Sequence, residues 1–383
     1  MADGWIGLTD PDMSLREIAA VAEVLKSSRL SAGPRVEAFE DEFASYAGRH
    51  YGVAVASGTL GLVLCLRALG IKPGDEVIAA AYSWHQIAHG IALVGAAPVF
   101  ADIDYWSGAL APGKAAAKIT DRTRAIVACN SNGHPAAWNQ FRQLAQRHNL
   151  KLIEDSTEAI GSRYQGRLVG GFGDMAVFDF SQPAALTCGE GGMVVTDDPD
   201  LASELRYYRS RTLDQRFSIS IAGRLPYQAA ISDVTAALGL AQLERLDEIL
   251  ARRKRVEGYY LQHLQTFEGI KPPYIAPEVD EIHWMLYLVH LGTRFTRSSR
   301  NQIVEDLATA QIEAAAFCNP LHQQFFYSGL GYKKGALPVT EKIADRGIAL
   351  PFHAHLDDEE IQFIVQTAKD SSINVGAGAA IYL

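Results

Sequence analysis

The sequence predicts an α/β protein built on a mainly parallel sheet with helices on both faces. Three observations carry this. Apolar runs of strand length alternate with helix-periodic segments six or seven times along the chain. One run, Leu152-Ile153-Glu154-Asp155, ends in carboxylates, as buried parallel strands do at the sheet edge where α/β proteins bind ligands. A second, Phe178-Asp179-Phe180, leads to the tight turn Gly189-Glu190-Gly191-Gly192, which needs backbone angles that glycine supplies. At 383 residues the chain exceeds one ordinary core, so a large and a smaller domain are expected.

Composition narrows the function classes. Hydrophobic residues make up 48% and charged residues 21%, as in soluble globular proteins. A net charge of −9 argues against nucleic acid as the partner, since phosphate binding wants a basic surface. No apolar run approaches the ~20 residues of a membrane span. The start, Met1-Ala2-Asp3-Gly4-Trp5, lacks the basic-then-apolar layout of a signal peptide. Cys65, Cys129, Cys188 and Cys318 are widely spaced, which predicts free thiols in a reducing cytoplasm and no metal site. The partner class left is a small molecule.

In order, the spacing predicts helices over 14–28, with Asp12 or Ser14 as cap, and over 35–48 after Gly33-Pro34. Strand Tyr51–Ala56 leads through Ser57-Gly58-Thr59 into helix Leu60–Leu69, and a hydroxyl-rich turn at a helix N-terminus is a ready anion site. Strand Asp75–Tyr82, then Ser83-Trp84-His85-Gln86, opens a helix to Gly95. Strands follow at Ala97–Ile103 and Arg124–Cys129, and a helix at 138–148. Lys151–Asp155 is a strand, Arg167–Gly173 a glycine-rich loop, and Met175–Phe180 and Met193–Thr196 are strands. A helix runs from Asp200 to about Tyr208. One long helical pattern covers Ile231–Phe267, capped by Ser232-Asp233. Strand 283–292, helix 298–310, strand 312–317, the loop Pro320-Leu321-His322, a helix from 338, the run Leu350-Pro351-Phe352 and helix 357–369 complete the assignment. Residues 370–383 receive none.

With Ser57-Gly58-Thr59, Gly74–Asp104, Glu154-Asp155, Gly189–Gly192, Ser232–Leu243 and Leu350–Phe352, the chain resembles the DegT/StrS family of nucleotide-sugar aminotransferases over nearly its whole length. The resemblance implies the aspartate-aminotransferase fold: a large domain, residues 1–245, with a seven-stranded, mainly parallel sheet, and a small C-terminal α/β domain, residues 246–383. It implies pyridoxal phosphate or pyridoxamine phosphate as cofactor, and a homodimer sharing its active site. The cofactor is an electron sink that needs a lysine amine, a carboxylate on its ring nitrogen, an aromatic over the ring and donors around its phosphate. By resemblance Asp155 is the carboxylate and Trp84 the aromatic. Ser57, Gly58 and Thr59 hold the phosphate, and Gln228 stands where the partner subunit's asparagine reaches it.

Other positions depart from the family pattern. Its lysine falls at Ala184 and its phosphate-binding serine at Asp179, and its arginine two residues after the asparagine falls at Ala230. No lysine lies between Lys151 and Lys254. A carboxylate near ~4 Å from a phosphate charge is repulsive by about 1–4 kcal/mol per unit-charge pair. Ala184 is read either as natural, since Asp179, Gln228 and Ala230 change with it, or as a lysine replaced to trap an intermediate. Three functions stay open. The first is an acid–base enzyme of dehydratase, isomerase, cyclase or condensing type, with His85, Asp155, Glu158 and Asp179 in the former cofactor pocket. The second is a keto-sugar or cyclitol aminotransferase in lysine-free form. The third is a non-catalytic subunit completing an active relative. The bland alternative pairs these carboxylates with Arg163, Arg167 or backbone N–H groups. His134, Arg163, Arg224, Tyr227 and His322 are the candidate substrate residues.

Overall fold

The computed structural model describes residues 4–31, 33–210, 226–265 and 269–380. Two N-terminal helices, α1 (Leu15–Leu25) and α2 (Pro34–Tyr46), precede the sheet. A capping box starts α1: the Ser14 hydroxyl accepts from a first-turn N–H while Glu17 reaches back to the Ser14 N–H. Next come β1 (Tyr51–Val55), α3 (Gly58–Ala68), β2 (Glu76–Ala80), α4 (His85–Leu93), β3 (Ala97–Ala101), α5 (Pro112–Ala116), β4 (Thr123–Cys129), α6 (Trp138–His148) and β5 (Lys151–Asp155). The short pair β6 (Arg163–Tyr164) and β7 (Arg167–Leu168) is followed by β8 (Met175–Asp179), β9 (Gly192–Thr196) and α7 (Pro199–Arg209).

Seven strands form the central sheet in the order β1-β9-β8-β5-β4-β2-β3. Only β9 runs against its neighbours; the other pairings are parallel. β2 and β8 are buried at every residue, and β4 and β5 at nearly every one, as expected for strands covered by helices on both faces. Gly192 permits a close backbone approach: a Cβ there would lie 2.7 Å from the Phe178 carbonyl oxygen and 2.9 Å from the Gly58 nitrogen. The sheet is the mainly parallel seven-stranded sheet that the sequence predicts.

The long pattern over Ile231–Phe267 is two helices, α8 (Asp233–Glu244) and α9 (Leu246–Leu264), a correction to the single helix expected. Arg245 leaves helical geometry at the junction (φ −104°, ψ 3°). Its buried guanidinium pairs with Asp12 at 2.8 Å and Glu17 at 2.5 Å, and Gln242 also donates to Glu17. Periodicity cannot register a bend fixed by an ion cluster from the N-terminus. Then follow β10 (Ile270–Lys271), β11 (Val279–Glu281), β12 (Tyr287–Leu291), α10 (Arg297–Thr309), β13 (Ala315–Ala316), α11 (Pro338–Ala344), β14 (Gly347–Leu350) and α12 (Asp358–Ala380). The unassigned tail is thus largely helix, because α12 continues far past residue 369. The segment expected as a loop at Arg167–Gly173 begins with β7, and the β6–β7 pair gains β11 as a third strand.

A second sheet, β10-β12-β14-β13, uses only residues after 269. Its core is continuous with one face of the large sheet: Ile78, Ile126 and Trp138 belong to the same buried cluster as Tyr287, Ile348 and Phe352. Tyr260 stacks on Tyr287 at 3.9 Å. Among the described residues no helix is long and apolar enough to cross a membrane, and all four cysteines are free thiols.

Candidate active site

The C-terminal ends of β1, β5 and β8 bring the sequence-marked residues to one edge of the sheet. Ser57 follows β1, and its hydroxyl caps α3 by accepting from the Leu60 N–H at 3.2 Å. The Gly58 N–H is also taken: it donates to the Asp179 carboxylate at 2.6 Å. Asp179 ends β8 and accepts the Ser181 N–H at 2.8 Å. A carboxylate is stabilised here because helix N-terminal N–H groups carry positive partial charge. The approach is close enough to require glycine, since a Cβ on Gly58 would lie 2.7 Å from Asp179 Cβ and 2.9 Å from its Oδ2. Gly58→Ala is therefore expected to destabilise the chain by about 1–3 kcal/mol through overpacking, read as a lower urea midpoint. Asp179→Gly in the same chain, which removes the Cβ that the clash meets, should recover part of the loss; no recovery would show that the clash lies elsewhere.

Asp155 ends β5 and is buried. One carboxylate oxygen accepts the Thr157 N–H at 3.0 Å, and the other accepts the Gln86 amide at 3.2 Å. Burial pushes its pKa up, and the Asp179 charge adds to the shift. Glu158 is also buried, bonded to the Asn132 N–H and 3.6 Å from Cys129 Sγ. Desolvation raises its pKa to about 8, with the Asp155 charge contributing. Glu154 meets five donors: the N–H groups of Gly170, Phe172 and Gly173, the Asn130 amide and the Ser156 hydroxyl.

Along the strand ends Asp155 feels the Asp179 charge and Glu158 feels the Asp155 charge, but none of the three lines the described cavities. Each is held by backbone N–H groups. The pairing with arginines is not formed: Arg163 pairs with Glu281 and Arg167 lies over Phe172. The open space beside them is a cleft of about 320 Å³ walled by Trp84, His85, Pro183, Phe317, Cys318 and Glu313, among others. Trp84 is half-buried, its indole N–H has no partner, and its ring meets Phe317 at 6.3 Å. His85 is exposed and lies 4.7 Å from His89 between ring centroids. Ala184 lies one residue beyond Pro183 in the loop between β8 and β9. No lysine among the described residues lines the cleft.

The other candidates are dispersed. Both ring nitrogens of His134 are engaged, one with the Pro135 carbonyl at 2.8 Å and one with the Ala276 N–H at 3.2 Å, which makes it a buried structural histidine. Tyr227 is exposed and accepts from Arg67 at 2.9 Å. Gln228 is exposed on left-handed backbone, φ 55°. His322 is buried against Glu341 at 3.1 Å. None of His134, Arg163, Tyr227 or His322 lines the cleft in this chain, and Arg224 lies outside the described residues. Sequence reasoning missed Glu313, Phe317 and the place of Cys318, because nothing in their spacing shows that residues 313–319 fold over the strand ends. Among the described residues no group of three or more His, Cys, Asp or Glu is placed to hold a metal.

Set against what pyridoxal phosphate requires, the fit is incomplete. Trp84 and Asp155 supply an aromatic ring and a carboxylate near the cleft. The Gly58 N–H, which a phosphate would use, is spent on Asp179, and no lysine among the described residues lines the cleft. The residues present do not fit the cofactor.

Similarity to known proteins covers the whole site. The model of the DegT/DnrJ/EryC1/StrS aminotransferase family matches residues 11–369. GDP-perosamine synthase of Caulobacter vibrioides is 35% identical over 364 residues, covering 94% of this chain and 96% of that protein. The structure of DesV from S. venezuelae in complex with a ketimine intermediate superposes with a TM-score of 0.86 at 34% identity, covering 94% of each chain. Spr1654 of Streptococcus pneumoniae in its PMP form reaches a TM-score of 0.92 at 26% identity, covering 98% of this chain and 100% of its own. With a family match running from Asp12's neighbourhood to the middle of α12, and with the fold and strand-end site to go with it, this chain belongs to the DegT/DnrJ/EryC1/StrS aminotransferase family.

Proposed function

We propose that the chain is a member of this family that does not transaminate, and that it performs acid–base chemistry on a small molecule of the sugar or cyclitol class, as a dehydratase, isomerase, cyclase or condensing enzyme. The observation that carries this reading is the Asp179 carboxylate on the Gly58 N–H at 2.6 Å: the chain fills its own anion site. Ala184 at the position of the family's lysine supports it, as does the absence of lysine from the cleft lining. In this reading His85 exchanges protons at the cleft, and Asp155 and Glu158 form the acidic wall behind it. The sugar class is supported by similarity to GDP-perosamine synthase. A homodimer is part of the proposal, supported by the exposed Leu15, Ile18 and Leu25 along one face of α1. The free thiols support a reducing cytoplasm.

A second reading, a lysine-free form of an ordinary aminotransferase, is favoured by Trp84 and Asp155. One experiment separates the two. Pyridoxal phosphate is added to the full chain and to Ala184→Lys and Asp179→Ser/Ala184→Lys, followed by absorbance and borohydride reduction. The proposal expects no uptake by the unaltered chain, none by Ala184→Lys alone, and a reducible near-visible band only in the double variant. Uptake by the unaltered chain or by Ala184→Lys alone overturns it in favour of the second reading.

A further inference from the structure

Helix α4 carries two imidazoles on its outer side. Its first turns read His85-Gln86-Ile87-Ala88-His89-Gly90-Ile91. Ile87, Ala88, Gly90 and Ile91 are buried, which fixes the inward face. His85 is exposed and His89 half-buried. Residues four apart are neighbours on a helix surface, and here the two rings stand 4.7 Å apart between centroids, tilted by 49°. His89 also stacks on Tyr327 at 6.3 Å. Tyr327 is itself buried and packed on Phe100 at 5.5 Å, so the His89 ring rests against a fixed support. His85 lines the cleft beside Trp84.

Two histidines at i and i+4 on one helix face form a chelating pair, because both ring nitrogens can reach one ion. The spacing agrees with that use. Imidazole nitrogens bind such ions at about 2.0–2.1 Å, which puts the two ring centres around one ion roughly 4.5–5 Å apart. Imidazole suits zinc, nickel and copper, whereas magnesium and calcium prefer oxygen ligands. A pair fills half of a four-coordinate shell and leaves the rest to water or to an oxygen of a molecule in the cleft. It is a smaller set than the clusters of three or more ligands, of which the described residues hold none.

We propose that His85 and His89 form a binding site for one divalent transition-metal ion, of the zinc, nickel and copper class, at the rim of the cleft. An ion held there occupies a ring nitrogen of His85 and so withdraws that side chain from proton exchange. The site stands on the helix geometry and does not depend on which reaction the cleft performs.

Ni²⁺ titrated into the full, tag-free chain in a non-coordinating buffer, followed by calorimetry, tests it. The expected result is saturable binding of one ion at about 100 µM or tighter. His85→Ala and His89→Ala should each weaken it by about tenfold or more, since the helix supplies the second nitrogen at high effective concentration. His148→Ala, at the exposed end of α6, should leave it unchanged, and equimolar Mg²⁺ should not compete. With Cu²⁺, electron paramagnetic resonance should show coupling to two nitrogens in the unaltered chain and to fewer in either variant. No saturable Ni²⁺ binding at that affinity, equal affinity in His85→Ala or His89→Ala, loss of binding in His148→Ala, displacement by Mg²⁺, or an unchanged Cu²⁺ spectrum in the variants would each overturn it.

Discussion

Glu154→Ala is expected to lower the stability of the chain by about 3–5 kcal/mol, the range for removing one partner of a buried charged network. The carboxylate is fully buried and binds the Gly170 N–H at 2.6 Å, the Phe172 N–H at 2.8 Å, the Asn130 amide at 2.9 Å and the Ser156 hydroxyl at 2.8 Å. Alanine would orphan all of them inside the protein. The bonds also span three segments: Glu154 sits on β5, Gly170–Gly173 form the loop into β8, and Asn130 follows β4 and accepts from the Trp138 indole at 2.9 Å. The loop that places Asp179 would therefore loosen with the core. Urea unfolding of Glu154→Ala and Glu154→Gln checks this, with the amide expected to lose less because it retains an acceptor. A loss under about 1 kcal/mol for alanine would mean that water replaces the carboxylate, contrary to its burial.

Glu158→Gln should flatten the dependence of stability on pH. Desolvation raises the Glu158 pKa from 4.5 to about 8 in the folded chain. Below the lower value the group is protonated in both states and folding carries no penalty. Between the two values the unfolded chain releases a proton that the folded chain keeps, so stability falls as pH rises, and above about 8 the full penalty applies. A shift of this size corresponds to a loss on the order of a few kcal/mol across that window. Glutamine keeps an acceptor for the Asn132 N–H and carries no charge, so the variant should match the parent near pH 4.5 and exceed it at pH 8. Denaturation midpoints across this range read the difference directly. Parallel curves for the two chains would mean that Glu158 is solvated when charged, and would remove it from the acidic wall behind His85.

The sheet was legible because the physics that marks it is local. Continuous apolar runs such as Ala125–Cys129 and Val77–Ala80 have no polar face to give to water, so each must be a central strand, and the glycine turn before β9 announces a backbone that side chains would block. The Ser57 cap was legible for the same reason: a hydroxyl before an apolar helix has few other uses. The bend at Arg245 was not, because Asp12 and Glu17 lie far away in sequence. Nor was the outer cleft wall, because Phe317 and Cys318 reach it by the packing of the second sheet.

Residue identities and their order along the chain determined the family frame, the strand ends that carry Asp155 and Asp179, and the absence of an amine at position 184. Tertiary structure alone decided what those groups do with their bonds. It turned Asp179 onto the Gly58 N–H, set the Gln86 amide on Asp155 and buried Glu158 behind the cleft lining. The reason is that a side chain's role depends on which donors and charges surround it after folding, and those come from segments that no spacing rule connects.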